Sequence, residues 1–219
     1  GRIAAALLSP FADYVRGDAG AAYATYSPLN APGVPFPSSD WSWGYDGGNP
    51  VERANRSVLV IKGAPGPLIV VGDDIQKDTA AHDYDWVLHT DLGNRIDGMA
   101  NPLHFTGRQS SLDLYFPGLE SPPGGLSARV FDHGGDDPMT RRLLLRRRSV
   151  APGFVAAFVP RQPGDAAPHF ISERLGNATF LALRRAGVID LVVVAPDHAP
   201  EAAQFQLGTD GRMAAARMV

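Results

Sequence analysis

The chain has 219 residues, 44% hydrophobic and 20% charged, with a net charge of −3 and no cysteine. That mix belongs to a folded globular protein with length for one large β domain or two small ones, and it excludes disorder as the default. The charge offers no general attraction to nucleic acid or anionic lipid, and the missing cysteine excludes disulfides, thiolate zinc sites and a cysteine nucleophile.

The N-terminal run "GRIAAALLSPF" is too short in its apolar part for a signal peptide, and Pro10 interrupts it at once. A helix is expected near residues 3–9, and the leading glycine suggests a chain cut from something longer. From there short apolar or alternating runs recur. They are "AAYATYS", "RSVLVIKG", "PLIVVGDD", "HDYDWVLHT", "NPLHFTG", "SLDLYFP", "LSARVFD", "TRRLLLRRR", "GFVAAFVP", "HFISER", "ATFLALRR", "GVIDLVVVA" and "AAQFQLG". Turn-forming "GAPGP", "SPPGG", "HGGDDP", "RQPGD" and "PDHAP" separate them. Many short strands with such punctuation predict an all-β fold, an antiparallel β-sandwich, whereas an α/β fold needs helices of about ten residues between strands. No apolar run approaches the length of a membrane span. Nothing reads as an interdomain linker, so residues 1–219 are expected to form a single domain.

Between Pro28 and Pro50 lies a long Pro- and Gly-rich segment carrying Trp41, Trp43 and Tyr45. Rings of this kind stack on the apolar faces of sugars, and serve equally well as anchors that pin a loop to a sheet. A segment of that length without periodicity is functional or packs through its own side chains. In "HDYDWVLHT" alternate residues share a face, so His82, Tyr84, Trp86 and Leu88 form an inner row and Asp83, Asp85, Val87 and His89 an outer one. Asp85 and His89 are thus candidates for lining a cleft, or an ordinary solvated face. They stand roughly 13 Å apart along an extended strand, too far to act as a dyad. "DHGGDDP" offers oxygen ligands at Asp132, Asp136 and Asp137 without the spacing of a calcium loop. "RRLLLRRR" either meets an anionic glycan or acidic surface, or is a strand flanked by solvated arginines. The histidines (82, 89, 104, 133, 169 and 198) are scattered, and no nucleophile elbow, phosphate loop or zinc-protease helix motif occurs.

Three segments in order, "ADYVRGDAGAAY", "NRSVLVIKGAPGPLIVVGDDIQ" and "HDYDWVLHT", resemble the later part of heparinase II/III-like polysaccharide lyases. The likeness covers about Ala12 to Thr90, and the rest agrees only in its β pattern. It implies a C-terminal β-sandwich that follows an N-terminal α/α toroid in a larger bacterial enzyme, periplasmic or secreted. That enzyme cleaves uronic-acid polysaccharides by β-elimination. In that family the toroid supplies a catalytic tyrosine, and a His-x-His motif early in the sandwich contributes to a metal site. This chain has no His-x-His, so no catalytic residue, metal ligand or cofactor is expected in it. Any divalent metal is expected in the full-length protein, and the isolated chain is expected to be inactive. Trp41, Trp43, Tyr45, Asp85 and His89 remain the substrate-binding candidates, with acidic polysaccharide and the toroid as partners, and no nucleic acid or membrane. A non-catalytic carbohydrate-binding module and a structural assembly domain are the alternatives.

Overall fold

The computed structural model describes residues 1–20, 51–97, 101–119, 127–132, 140–175, 178–195 and 213–218. The Pro28–Pro50 segment, the strand candidates "AAYATYS" and "AAQFQLG", and Asp136 and Asp137 lie outside these described residues. Every element among the described residues is a strand, and the strands form three sheets. The large sheet has eight strands: β1 (Arg2–Leu8), β2 (Ala12–Asp18), β3 (Arg53–Ile61), β4 (Leu68–Gln76), β11 (Gly153–Arg161), β8 (Ser111–Tyr115), β7 (Leu103–Thr106) and β6 (Arg95–Asp97), in that spatial order. A three-stranded sheet has the order β5 (His82–Asp91), β10 (Thr140–Ser149), β9 (Ser127–Asp132). A four-stranded sheet runs β12 (His169–Leu175), β13 (Ala178–Arg185), β14 (Val188–Val194), β15 (Met213–Met218).

The expected sandwich is present with an extra layer. The large sheet lies in the middle and is covered on both faces. On one face Leu59, Ile61, Leu68, Val70, Ala157 and Val159 pack against Leu181, Leu183, Val192 and Val194 of the four-stranded sheet. On the other, Leu103, Phe105, Leu114, Phe154 and Ala156 pack against Trp86, Leu143 and Leu145 of the three-stranded sheet. The cause is visible in β11, whose "FVAAFV" lacks the polar alternation of a half-buried strand. Phe154 and Ala156 serve one core, Ala157 and Val159 the other, and all four are essentially inaccessible. A strand covered on two sides needs apolar residues at both parities.

The helix expected near residues 3–9 is instead β1, an edge strand paired with β2 through Ala5↔Arg16, Ala6↔Val15 and Leu7↔Tyr14. Alanine favours a helix, but a single short helix bears the full cost of nucleation, whereas the strand satisfies its backbone on a ready-made partner. Its side chains are left largely in the open, with Ile3 73% and Leu8 74% exposed.

A buried ionic cluster ties the four-stranded sheet to the β3–β4 turn. Asp190 on β14 is fully inaccessible. Arg217, its register partner on β15, donates Nε to Oδ1 at 2.6 Å and Nη2 to Oδ2 at 3.1 Å. Arg217 Nη1 then reaches the carbonyl oxygens of Lys62 (2.7 Å) and Ala64 (2.9 Å). Arg185 on β13 donates to the carbonyl oxygens of Pro67 (2.9 Å) and Gly66 (2.6 Å), and to Asp190 Oδ2 at 3.3 Å. Burial holds the Arg185 guanidinium below its ordinary range, against the opposing pull of Asp190. The two-residue β13–β14 turn is Ala186–Gly187, both at positive φ (44° and 79°), a type I′ conformation that strains alanine and suits glycine or asparagine.

Two stability outcomes follow from these contacts. Asp190→Asn strands two buried cations and is expected to lower unfolding free energy by about 3–5 kcal/mol in a urea titration. A loss below about 1 kcal/mol would show that water or relaxation replaces the carboxylate. Ala186→Gly relieves the left-handed alanine, and the same titration should show a gain of roughly 0.5–1 kcal/mol; a fall in stability would contradict the turn geometry.

Candidate functional site

Strand β5 alternates as its sequence predicts. Trp86 is buried, ringed by Phe116 (centroids 5.0 Å, edge-on) and Phe158 (6.2 Å). Tyr84, on the same row, accepts the Lys77 backbone N–H at 3.0 Å and donates to the Val150 carbonyl at 3.2 Å. His82 Nε2 meets Asp78 Oδ1 at 2.8 Å. Asp78 also accepts the Ala80 backbone N–H, and these contacts, the backbone bond foremost, hold its carboxyl below the ordinary range. This inner row closes the β4–β5 turn and one core, which is structural work.

The outer row carries Asp83, Asp85, Val87 and His89 at exposed positions. Asp85 is held by its register partner Arg146 through a two-pronged pair, Nε–Oδ1 and Nη2–Oδ2 both at 2.6 Å. Asp83 meets Arg148 at 3.4 Å, and His89 lies opposite Arg142. The structure thus places Asp85 and His89 on one outward face, as the alternation predicts, and commits Asp85 to an ion pair. In "RRLLLRRR" Arg146 and Arg148 are the exposed members, while Arg147 shares the inward parity of Leu143 and Leu145. Trp41, Trp43 and Tyr45 belong to the segment outside the described residues.

A second constellation, built on one of the scattered histidines, forms on the large sheet. β12, the edge of the four-stranded sheet, meets β8 at Tyr115: Phe170 stacks on the Tyr115 ring (4.5 Å, 8°), and Ser172 Oγ lies 2.8 Å from its hydroxyl. One step further along the same face of β8 the surface turns polar. Register pairs Asp97 with His104, His104 with Asp113, and Asp113 with Val159. The neighbouring row is Arg95, Thr106, Ser111 and Arg161. Asp113 is fully buried; its Oδ1 accepts from His104 Nδ1 at 2.5 Å and from Arg161 Nη2 at 3.1 Å, and its Oδ2 lies 2.6 Å from Arg161 Nε as an ion pair. Arg161 Nη1 is anchored in turn by the Asp165 carbonyl at 3.1 Å.

The chemistry follows from the donor inventory. An ionised carboxylate can only accept, so His104 donates from Nδ1, which leaves Nε2 as the ring nitrogen for other contacts. The His104 side chain is 42% exposed against 0% for Asp113, so the imidazole is oriented from behind and open in front. That arrangement can accept a proton from a bound ligand, or donate one when the ring is charged. The signal missed in the sequence is cross-strand: His104 and Asp113 become neighbours only through the β7–β8 register, and Arg161 joins from β11. Among the described residues no group of three or more acidic or histidine side chains is placed to hold a metal ion.

No protein-family model matches the chain, and comparison with curated proteins gives no match. Among solved structures, the fold is that of part of heparan sulfate lyase HepC from Pedobacter heparinus, at 17% identity and a TM-score of 0.53, over 90% of this chain and 28% of that one. A mutant of the same lyase matches with a TM-score of 0.52 over the same shares. A heparinase III matches with a TM-score of 0.51 at 10% identity, over 99% of this chain and 27% of that one. The chain therefore spans less than a third of the length of each of these three structures.

The constellation around Asp113 separates by mutation. Asp113→Asn removes the counter-charge of a largely buried Arg161 and should cost about 3–5 kcal/mol of stability. His104→Gln, at the open end, should cost about 1 kcal/mol or less. Equal losses by denaturant titration would mean that the imidazole is a packing element rather than a surface group held by the carboxylate.

Proposed function

We propose that this chain is the C-terminal β-sandwich domain of a heparinase II/III-like polysaccharide lyase, a periplasmic or secreted enzyme that cleaves uronic-acid glycans by β-elimination. The observation that carries this reading is the fold likeness to heparan sulfate lyase HepC over 90% of the chain. The ordered segments between Ala12 and Thr90 support it, since they are chosen by residue identity and not by backbone shape.

β-Elimination removes the C5 proton of the uronate, breaks the C4–O bond, and leaves a C4–C5 double bond with the departing oxygen protonated. It needs a neutralised carboxylate, a base and an acid converging from several directions. In this reading the sandwich forms one wall of the polysaccharide cleft and the preceding toroid supplies most of the reacting groups. Trp41, Trp43 and Tyr45 are its sugar-stacking candidates. Asp85 enters through its ion pair with Arg146 and His89 from the same outer face, so both are better placed for a contact with another domain than for proton transfer.

The test is turnover. The full-length gene product, mixed with heparan sulfate, should generate the ultraviolet absorption of an unsaturated uronate, and residues 1–219 alone should generate none. A full-length protein that binds uronate glycans without releasing unsaturated products would replace the lyase reading with a binding module.

A further inference from the structure

On the open face of the large sheet, His104 of β7 stands in register between two carboxylates, Asp97 on β6 and Asp113 on β8. Each carboxylate has its own arginine from the neighbouring row. Arg161 Nε lies 2.6 Å from Asp113 Oδ2, and Arg95 Nε lies 2.6 Å from Asp97 Oδ1. Asp97 Oδ2 also accepts from Arg95 Nη2 at 3.2 Å and from the Thr106 hydroxyl at 3.1 Å. Both oxygens of Asp97 are thus engaged, and the imidazole is held from the other side, by Nδ1 on Asp113. Its Nε2 has no hydrogen-bond partner among the described residues, although the side chain is 42% exposed.

The charges of this cluster balance without the histidine: two aspartates face two arginines. A neutral ring leaves the cluster uncharged, and a protonated ring leaves it with one positive charge. Asp113 is buried and already shared between the ring and Arg161, so it does not absorb that charge. Asp165, the next acid beyond Arg161, turns its carbonyl to Arg161 and its carboxylate to the Gln162 N–H. β12 brings only uncharged Phe170 and Ser172 to the neighbouring Tyr115. A protonated His104 is therefore a charged donor with one N–H unmet, and such a donor is completed by an anion. Arg95 is 75% exposed and stands diagonally across the β6–β7 pair, a spacing of about 7–8 Å that long side chains bridge.

We infer that His104, with Arg95 beside it, is a pH-gated binding site for an oxyanion, the carboxylate or sulfate group of an acidic saccharide. The saccharide as the source rests on the lyase reading above; the oxyanion chemistry does not. The sign follows from the ring. A deprotonated Nε2 offers a lone pair that repels an anion, so binding is present at low pH and lost as pH rises through the imidazole titration. The site gives a role to the Asp113 constellation, which the lyase reading leaves unused.

The experiment is calorimetric titration of the 219-residue chain at about pH 5.5 and about pH 8, on either side of the usual imidazole range. The probes are a heparan-sulfate disaccharide, its desulfated, carboxyl-reduced counterpart, and inorganic sulfate. Disaccharide binding should weaken about tenfold at the higher pH, the effect of losing a charged hydrogen bond, and the neutral counterpart should not bind. His104→Gln should bring the low-pH affinity down to the high-pH value and remove the pH dependence. Arg95→Gln should weaken binding severalfold and keep the pH dependence. His82→Gln, which removes a histidine held by Asp78 on the three-stranded sheet, should leave both unchanged. Nitrogen NMR of the His104 ring in the unaltered chain reads the same site without a variant. Saturating disaccharide should move the ring's titration midpoint up by about one pH unit, the equivalent of a tenfold preference for the charged form. An unmoved midpoint would overturn the site, and so would equal effects of His104→Gln and His82→Gln. Sulfate binding without disaccharide binding would overturn the saccharide as ligand. None of these readouts uses turnover, so an inactive full-length enzyme would sink the lyase reading while leaving this one to stand or fall by its own titration.

Discussion

The two-sided burial of β4, β11 and β8 is the constraint on which the other features depend. Side chains on a strand alternate with period two, so each residue of β11 is assigned to one of two cores: Phe154 and Ala156 to one, Ala157 and Val159 to the other. A one-residue slip against β4 would exchange the sets and place phenylalanines where alanine and valine now fit. The pairing Ala156↔Val71 and Ala157↔Val70 is therefore held by both outer sheets at once. Neither outer sheet could shift without unpacking the middle one.

Such a sheet leaves few places for charge, and the chain puts it at the margins. The adjacent aspartates closing β4 take opposite faces by parity, and each is nearly inaccessible, Asp73 at 6% and Asp74 at 6%. Arg56 grips the first with Nε and Nη2 at 2.7 and 2.8 Å, and Arg53 meets the second at 2.8 Å. Buried carboxylates demand such partners, and a planar fork satisfies two oxygens together, which a lysine cannot do. The arginine-rich, lysine-poor composition thus has a structural use here: arginines hold the aspartates that the layered core would otherwise leave unsolvated.

What could be read without coordinates follows the same physics. The apolar runs of β3, β4, β5, β10, β11, β13 and β14 were legible because burial imposes their pattern locally. The inner and outer rows of β5 were legible for the same reason. β1 has the local propensity of a helix because of its alanines, and its real determinant, pairing with β2, is a tertiary event. β6 is too short and β15 too alanine-rich to announce themselves. The third layer was hidden because an unbroken apolar run says that both faces are covered, not by what. The Asp113 constellation was illegible for a stronger reason: its three members come from three strands, and only the register of β7, β8 and β11 makes them neighbours.

The polar constellation on β8 has one landmark. On β8, Asp113 precedes Tyr115 by two residues on the same face, roughly 6.6 Å of extended chain. Phe170 and Ser172 of β12 seal Tyr115. The Tyr115 contact is therefore a boundary, with His104 on the open polar face beside it. An outer sheet that covered the whole face would have buried the imidazole as well. Because the four-stranded sheet ends over β8, the apolar face gives way to charge there. The edge strand that closes the core thereby also sets the limit of the exposed polar surface.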